Sequence, residues 1–225
     1  MYCSEFLLRS IKPISFKELF SVQLALILAI VLQAASWALS PSLHFGPQYM
    51  IFAIEFALVV FIGITARKRH EPNNFLHRGL STVLIGLITV ANISSLLMVL
   101  NELIRSDRII TGYELLASAV AIFLTNIIVF GLWYWEIDSP GLTGKSWTKN
   151  DQDFLFTQQE HPSTYPDWQP VFFDYLYVSV TNAVNFAPAD ARPITLHAKG
   201  LMGVQALVSV FTLALLIARS INILN

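Results

Sequence analysis

The stretch DYLYVSVTNAVNFAPADARPIT, Asp174 to Thr195, decides how the second half of this chain folds. It overlaps a run of sixteen residues, Val171 to Phe186, whose only charge is Asp174 and which lies between Pro170 and Pro188. Proline is tolerated at the start of a helix and cannot continue one, so the two prolines predict a helix between them. Such a helix reaches only about 24 Å, which is too short to cross a hydrocarbon core about 30 Å thick.

Two interpretations of this short helix stay open at the level of the sequence. The first is a re-entrant helix, at about Val171 to Val184, that is buried in protein because non-helical backbone at its tip must be shielded from lipid. The alternative is an interfacial helix whose aromatic side chains lie at the lipid headgroups, namely Phe172, Phe173, Tyr175 and Tyr177.

The composition is that of a membrane protein. Of the 225 residues, 55% are hydrophobic and 13% charged, and the mean hydropathy is +0.58, whereas about 25% of residues are charged in an average soluble domain. The net charge of −1 indicates no nucleic-acid partner, and the lone Cys3 allows no intramolecular disulfide. The sequence contains no zinc-type spacing, phosphate loop or dinucleotide fingerprint, so no metal or cofactor is expected. With no nucleophile and base at suggestive spacing, an enzyme is not expected either.

Five stretches are long and apolar enough to cross a membrane, which needs roughly 20 residues. They are Leu19 to Leu43, Phe45 to Ala66, Gly79 to Asn101, Leu115 to Trp135 and Gly200 to Ala218. A signal peptide is an alternative for the first of them. The sequence thus predicts an all-α integral membrane protein of the cell membrane, with five transmembrane helices and one short re-entrant helix of the pore type.

The chain divides into two regions. Residues 1–105 carry three spans, and residues 106–225 carry a fourth span, a polar connection, the short helix and a final span. The connection, Ile137 to Gln169, contains SPGLTGKS and HPSTYPDWQP, whose proline and glycine residues are expected to break any helix.

The second region resembles the pore module of potassium channels, in which a span, a pore helix, a filter turn and a second span follow in this order. The resemblance covers about Leu115 to Ile221, half of the chain, and includes LLIARSI at the end of the last span. The matching positions are Asp174, Leu176, Tyr177, Ser179, Thr181, Asp190, Pro193, Thr195, Ala198 and Lys199. The chain is also similar to a group of uncharacterised bacterial multi-pass membrane proteins with motifs like LWYWEID and TNAxxFxPxD.

The filter-like turn departs from that family. Where the family has Thr-Val-Gly-Tyr-Gly before an aspartate, this chain has Asn185, Phe186, Ala187, Pro188 and Ala189 before Asp190. A potassium filter needs rings of backbone carbonyls, and its glycines adopt backbone angles that alanine adopts poorly. Proline also fixes φ near −65° and lacks an N–H group. The resemblance therefore implies a pore scaffold with a degenerate filter. Thr181, which precedes the turn, completes this candidate site.

Polar side chains inside the other spans are further candidates. Glu55 lies near the middle of the second span, where an ionised carboxylate costs roughly 3 kcal/mol or more, so it is expected to face the bundle interior, be protonated or have a partner. Asn92 and Asn126 are interpreted as interhelical hydrogen-bonding groups. Trp133, Tyr134 and Trp135, at the end of the fourth span, are predicted to form an aromatic belt at the membrane surface.

The orientation in the membrane is left open by two arguments that disagree. One side carries Arg9, Lys12, Lys17, Arg67, Lys68, Arg69 and Arg78, and the other carries Arg105, Arg108 and Arg219. The positive-inside rule places the first side, together with the filter-like turn, in the cytoplasm. The resemblance implies the reverse orientation. We favour this reverse orientation because the resemblance covers a whole pore module.

Two functions of different classes follow as expectations. The first is a homo-oligomer, a tetramer by resemblance, that passes an ion or small solute without potassium selectivity. The second is a non-conducting structural or regulatory membrane protein that uses the pore scaffold for packing or for binding a partner. Both place the chain in a lipid bilayer.

Overall fold

The computed structural model describes residues 15–39, 48–65, 75–105, 112–138, 152–166, 168–185, 187 and 190–223. Seven helices and two strands follow one another in this part of the chain. They are α1 (Phe16–Leu39), α2 (Gln48–Thr65), α3 (Phe75–Arg105), α4 (Gly112–Asp138), β1 (Phe154–Phe156), α5 (Thr157–Glu160), α6 (Phe172–Asn185), β2 (Ala191–Pro193) and α7 (Leu196–Ile223).

Four of these helices are long and apolar enough to cross a membrane. Their candidate spans are Lys17–Ala38 in α1, Gly79–Asn101 in α3, Tyr113–Asp138 in α4 and Leu196–Ala218 in α7. The prediction of an all-α multi-pass membrane protein is confirmed at this level. Helix α2 has 18 residues and includes Glu55; its role as a fifth span stays a prediction.

Helix α4 lies at the centre of the fold. It packs against α1, α3, α6 and α7, and its side chains are buried on most of its circumference from Leu115 to Asp138. The main hydrophobic core contains residues from both predicted regions, including Ala29 of α1, Ile88 of α3 and Leu132 of α4. The three-span region and the pore-like region therefore share one core.

The polar connection contains regular structure that the sequence did not predict. Strand β1 pairs with β2 in antiparallel register, so that Phe154 faces Pro193 and Phe156 faces Ala191. Helix α5 follows β1 directly. Helix α5 lies between the two stretches predicted to break a helix and contains neither proline nor glycine, while the strand pairing and the core positions of Phe154 and Phe156 hold this segment in place. Helix α4 also extends through Asp138, into the predicted connection.

The start of α1 and the end of α4 lie together. The indole Nε1 of Trp135 donates a hydrogen bond to Oε1 of Glu18 over 2.8 Å. Helices α1 and α4 therefore run in opposite directions, and the beginning of α1 lies at the same face of the bundle as the β1–β2 pair.

Candidate functional site

Helix α6, which follows the polar connection, packs closely against α4. A Cβ atom added at Gly131 of α4 would lie 3.1 Å from both the Cα and the Cδ1 of Leu176. Only glycine leaves room for the two backbones to approach this far without displacing one of them. An alanine at this position would therefore require Leu176 of α6 to shift by a few tenths of an ångström.

A buried polar network joins α6 to α4 and α7. The hydroxyl of Tyr134 and Nδ2 of Asn182 donate to Oε1 of Gln205, over 2.5 and 2.8 Å. In return, Nε2 of Gln205 donates to the Oγ of Ser179 over 2.7 Å and to its carbonyl oxygen over 3.0 Å. Nδ2 of Asn182 also lies 3.0 Å from the carbonyl oxygen of Met202. Because all four polar side chains are buried, each depends on the others for its hydrogen bonds.

The network lies well inside the bundle. The Oγ of Ser179 donates to the carbonyl oxygen of Ile127 over 2.6 Å. At about 1.5 Å per residue, Ile127 lies roughly 16 Å along the helix from the end of α4 at Asp138. At the other end of α6, by contrast, the ring of Phe172 packs edge-on against that of Trp135, with the centroids 6.3 Å apart. Helix α6 therefore begins near the end of α4 and continues into the bundle.

The carboxylate of Asp138 connects this bundle to the β1–β2 pair. Its Oδ1 accepts hydrogen bonds from the backbone N–H groups of Asp153 at 2.6 Å and Phe154 at 3.3 Å. Its Oδ2 accepts from the hydroxyl of Tyr175 at 2.7 Å. Burial, followed by the negative charge of Asp138, raises the pKa of Tyr175 well above its ordinary value, so the phenol keeps its proton and donates. Thr195, at the start of α7, also donates to the side chain of Asp153.

The filter-like turn is described in part. Asn185, Ala187 and Asp190 are exposed, whereas Phe186, Pro188 and Ala189 lie outside the described residues. The carbonyl oxygen of Asp190 accepts from the backbone N–H of Thr157 at 3.1 Å and from its hydroxyl at 2.9 Å. Thr157 of the polar connection therefore already donates hydrogen bonds to this carbonyl oxygen.

Thr181 lies within α6, one turn before its end. Its hydroxyl donates to the carbonyl oxygens of Tyr177 at 3.1 Å and Val178 at 3.0 Å, and the side chain is buried. Such bonding to the preceding turn of the same helix is common for threonine. Among the described residues, then, Thr181 contacts its own helix, and Asn185 and Asp190 are the exposed polar groups of the candidate site.

Two carboxyl groups mark the beginning of α6 and the far side of the turn. Oδ2 of Asp174 accepts from the backbone N–H of Val171 at 2.7 Å, which satisfies a donor at the helix start. Partial burial raises the pKa of Asp174 above its ordinary value; the negative charge of Asp190 acts in the same direction, against the lowering by the Val171 hydrogen bond. The two carboxyl groups are thus close enough to interact, although most of α6 lies between them in the chain.

The predicted intramembrane polar residues occupy two kinds of environment. Nδ2 of Asn92 donates to the carbonyl oxygen of Ile122 at 3.3 Å, and Nδ2 of Asn126 donates to the Oγ of Ser209 at 2.9 Å. Each amide therefore connects two helices. Glu55 is fully buried, and neither of its carboxylate oxygens has a hydrogen-bond partner among the described residues.

The predicted aromatic belt is wrong for two of its three members. Tyr134 and Trp135 are buried inside the protein, where they donate to Gln205 and Glu18. Trp133 is half-buried and donates to the Oγ1 of Thr89 at 2.9 Å. Because neighbouring helices surround α4, these rings are covered by protein instead of lipid headgroups.

Sequence reasoning also missed Gln205 and Asn182 as key residues. A signal was present, since Gln205 is a polar amide in an otherwise apolar final span, a position where side chains form interhelical hydrogen bonds. Its partners could not be identified in advance because they come from two other helices, α4 and α6.

Within the part of the chain that the structure describes, no group of three or more His, Cys, Asp or Glu residues could hold a metal ion. The chain matches no family model, no curated protein and no solved structure.

Proposed function

We propose that this chain is one subunit of a homo-oligomer in the cell membrane that forms a pore without potassium selectivity. Helix α6 is its re-entrant helix, and α4 and α7 are the flanking spans. The observation that carries the proposal is that α6 penetrates the bundle and the chain then returns to the face at which α6 began.

Two sets of contacts support the return of the chain. On the way in, Phe172 packs beside Trp135 near the end of α4, and Ser179 contacts Ile127 at depth. On the way out, β2 pairs with β1, and the N–H of Phe154 in β1 binds Asp138 at the end of α4. The electrostatic interaction of Asp174 with Asp190 agrees with this path. A helix lying flat at the membrane surface would make no contact as deep as Ile127.

The outer face of α6 supports an oligomer. Four large side chains at helical spacing, Phe173, Tyr177, Val180 and Val184, are each more than a third exposed. A pore-type helix lines a path only when several copies surround an axis, and the resemblance indicates four. In such an assembly, Asn185 and Asp190 lie at the mouth of the path.

The alternative is a non-conducting protein in which the pore scaffold serves packing or partner binding. The closed hydrogen-bond network of Tyr134, Ser179, Asn182 and Gln205 favours it, because a rigid, self-satisfied interior suits a structural role. The absence of both filter glycines favours it as well. Measurement of flux distinguishes the two proposals.

The path of α6 is tested by single cysteines in a Cys3→Ser background, which removes the only native thiol. We expect cysteines at Phe173, Asn185 and Asp190 to react with a membrane-impermeant thiol reagent from the same side of the membrane. Leu207→Cys, on the exposed face of α7, serves as the lipid-facing control and should react only with a lipid-soluble reagent. The reactive side also fixes the orientation.

Two results of this scan would contradict the re-entrant path. Reaction of Phe173→Cys and Asn185→Cys from opposite sides would show a helix that crosses the membrane. Equal, rapid reaction of every α6 position from one side would show an interfacial helix.

The second test concerns conduction. We expect purified protein in liposomes to show no potassium flux above empty vesicles, because Ala187 and Ala189 replace the filter glycines and the Asp190 carbonyl is bound by Thr157. Release of another small ion or solute, reduced by Asn185→Leu, is the result expected of a pore. Addition of a potassium ionophore confirms that the vesicles are sealed and loaded.

The outcomes separate the candidates. Absence of flux for every ion and small solute would favour the non-conducting alternative. Selective potassium efflux that disappears in an Asp190→Ala variant would overturn the degenerate filter, since the turn would then coordinate the ion by other means.

A further inference from the structure

Glu55 of α2 is a fully buried carboxyl group whose two oxygens lack a hydrogen-bond partner among the described residues. Leaving a buried polar group unsatisfied costs about 1–3 kcal/mol, and more if the group is charged. An apolar residue at this position would avoid that cost. The side chain therefore does not stabilise the fold through any contact that the structure describes.

The helices that pack against α2 provide no countercharge at this depth. These helices are α1 and α3. Between Leu19 and Leu39 of α1, and between Gly79 and Asn101 of α3, the sequence contains no Asp, Glu, Lys, Arg or His. Their titratable residues are at the helix ends, Lys17 and Glu18 in α1 and His77, Arg78, Glu102 and Arg105 in α3. Since an ionised carboxylate inside a membrane costs roughly 3 kcal/mol or more, Glu55 is neutral in this state.

A second buried oxygen without a hydrogen-bond partner lies in α1, which packs against α2. Gln33 of α1 is buried and uses its Nε2 to donate to the carbonyl oxygen of Ile88 at 2.9 Å, whereas its Oε1 has no partner among the described residues. Because the oxygens of Glu55 also lack a partner among these residues, Glu55 and Gln33 are not hydrogen-bonded to each other in this state.

We propose that Glu55 is a proton-binding site of the N-terminal three-helix region. In the described state the carboxyl group holds a proton on one oxygen. When the helices separate enough to admit water, that O–H bond breaks, the proton passes to water and the electron pair stays on the carboxylate. Uptake reverses the step. The ligand is a proton and not a divalent cation, because Ca²⁺ takes about six to eight oxygen ligands.

Infrared spectroscopy of the full-length protein in lipid tests this site. We expect a carbonyl stretching band of a protonated carboxylic acid at neutral pH that shifts when H₂O is exchanged for D₂O. The band should be lost in Glu55→Gln and kept in Glu114→Gln, which removes a half-buried carboxyl group near the start of α4. In Gln33→Leu the band should keep its frequency, because Oε1 of Gln33 is not bonded to Glu55 in this state.

Two spectra would overturn the proposal. A Glu55-dependent band that does not shift after prolonged incubation in D₂O would show a permanently trapped, structural proton. The absence of any Glu55-dependent acid band would show an ionised carboxylate with a partner. Neither result depends on whether the chain forms a pore.

Chemical labelling gives a second measurement that needs no variant. Hydrophobic carbodiimides react with protonated carboxyl groups in apolar surroundings, so we expect mass spectrometry of the wild-type protein to locate an adduct on Glu55. The yield should fall as the pH is raised. An adduct on other carboxyl groups with none on Glu55 would contradict the proposal even if Glu55→Gln failed to fold.

Discussion

Replacement of Asp138 by alanine is expected to detach the β1–β2 pair from the helix bundle and to lower the free energy of unfolding by roughly 3 kcal/mol or more. Three donors lose their acceptor at once, namely the backbone N–H groups of Asp153 and Phe154 and the hydroxyl of Tyr175. Each buried donor left unsatisfied costs about 1–3 kcal/mol. Phe154 and Tyr175 are buried, so water cannot replace the carboxylate without opening the structure.

Limited proteolysis and denaturant unfolding in micelles measure this effect. We expect Asp138→Ala to be cleaved in the segment before β1 much faster than the wild type. Asp138→Asn is the matched control, because its oxygen still accepts from the two backbone N–H groups and its NH₂ group donates to the hydroxyl of Tyr175. Equal stability of the alanine and asparagine variants would contradict the role assigned to Asp138.

Replacement of Gln205 by leucine is expected to loosen α6 from α4 and α7 at a cost of roughly 2–4 kcal/mol. Gln205 is fully buried and of similar size to leucine, so the change removes hydrogen bonds more than volume. The hydroxyl of Tyr134 loses its acceptor and Asn182 loses one of its acceptors. Each buried group left unsatisfied costs about 1–3 kcal/mol, and the two lost hydrogen bonds therefore account for the expected decrease in the free energy of unfolding.

Unfolding in mixed micelles is again the direct measurement, with Gln23→Leu as the control for the same chemical change on a half-buried position of α1. We expect Gln205→Leu also to raise the reactivity of a cysteine at Val178, which is buried on α6 in the intact protein. Unchanged stability and labelling would show that packing at Gly131, and not the polar network, holds α6 in place.

The sequence by itself determined the class of protein and the position of its main helices. Apolar runs of about 20 residues have few alternatives to a transmembrane helix, because every backbone group in lipid must be hydrogen-bonded within its own segment. This local rule predicted the four candidate spans to within a few residues at most ends. Pro170 likewise predicted where α6 begins, two residues before Phe172.

Only the tertiary structure decided which polar groups meet. Asp138 and Tyr175 are far apart in the chain, as are Tyr134 and Gln205, and Phe154 pairs with Pro193 across the whole of α6. A residue's own sequence neighbours carry no signal for such pairs. Tyr134 and Trp135 were predicted to face lipid headgroups, and their burial has the same cause. Aromatic residues at the end of one helix form the same sequence pattern whether they contact lipid headgroups or a protein core. The packing of other helices around α4 decides between these two environments.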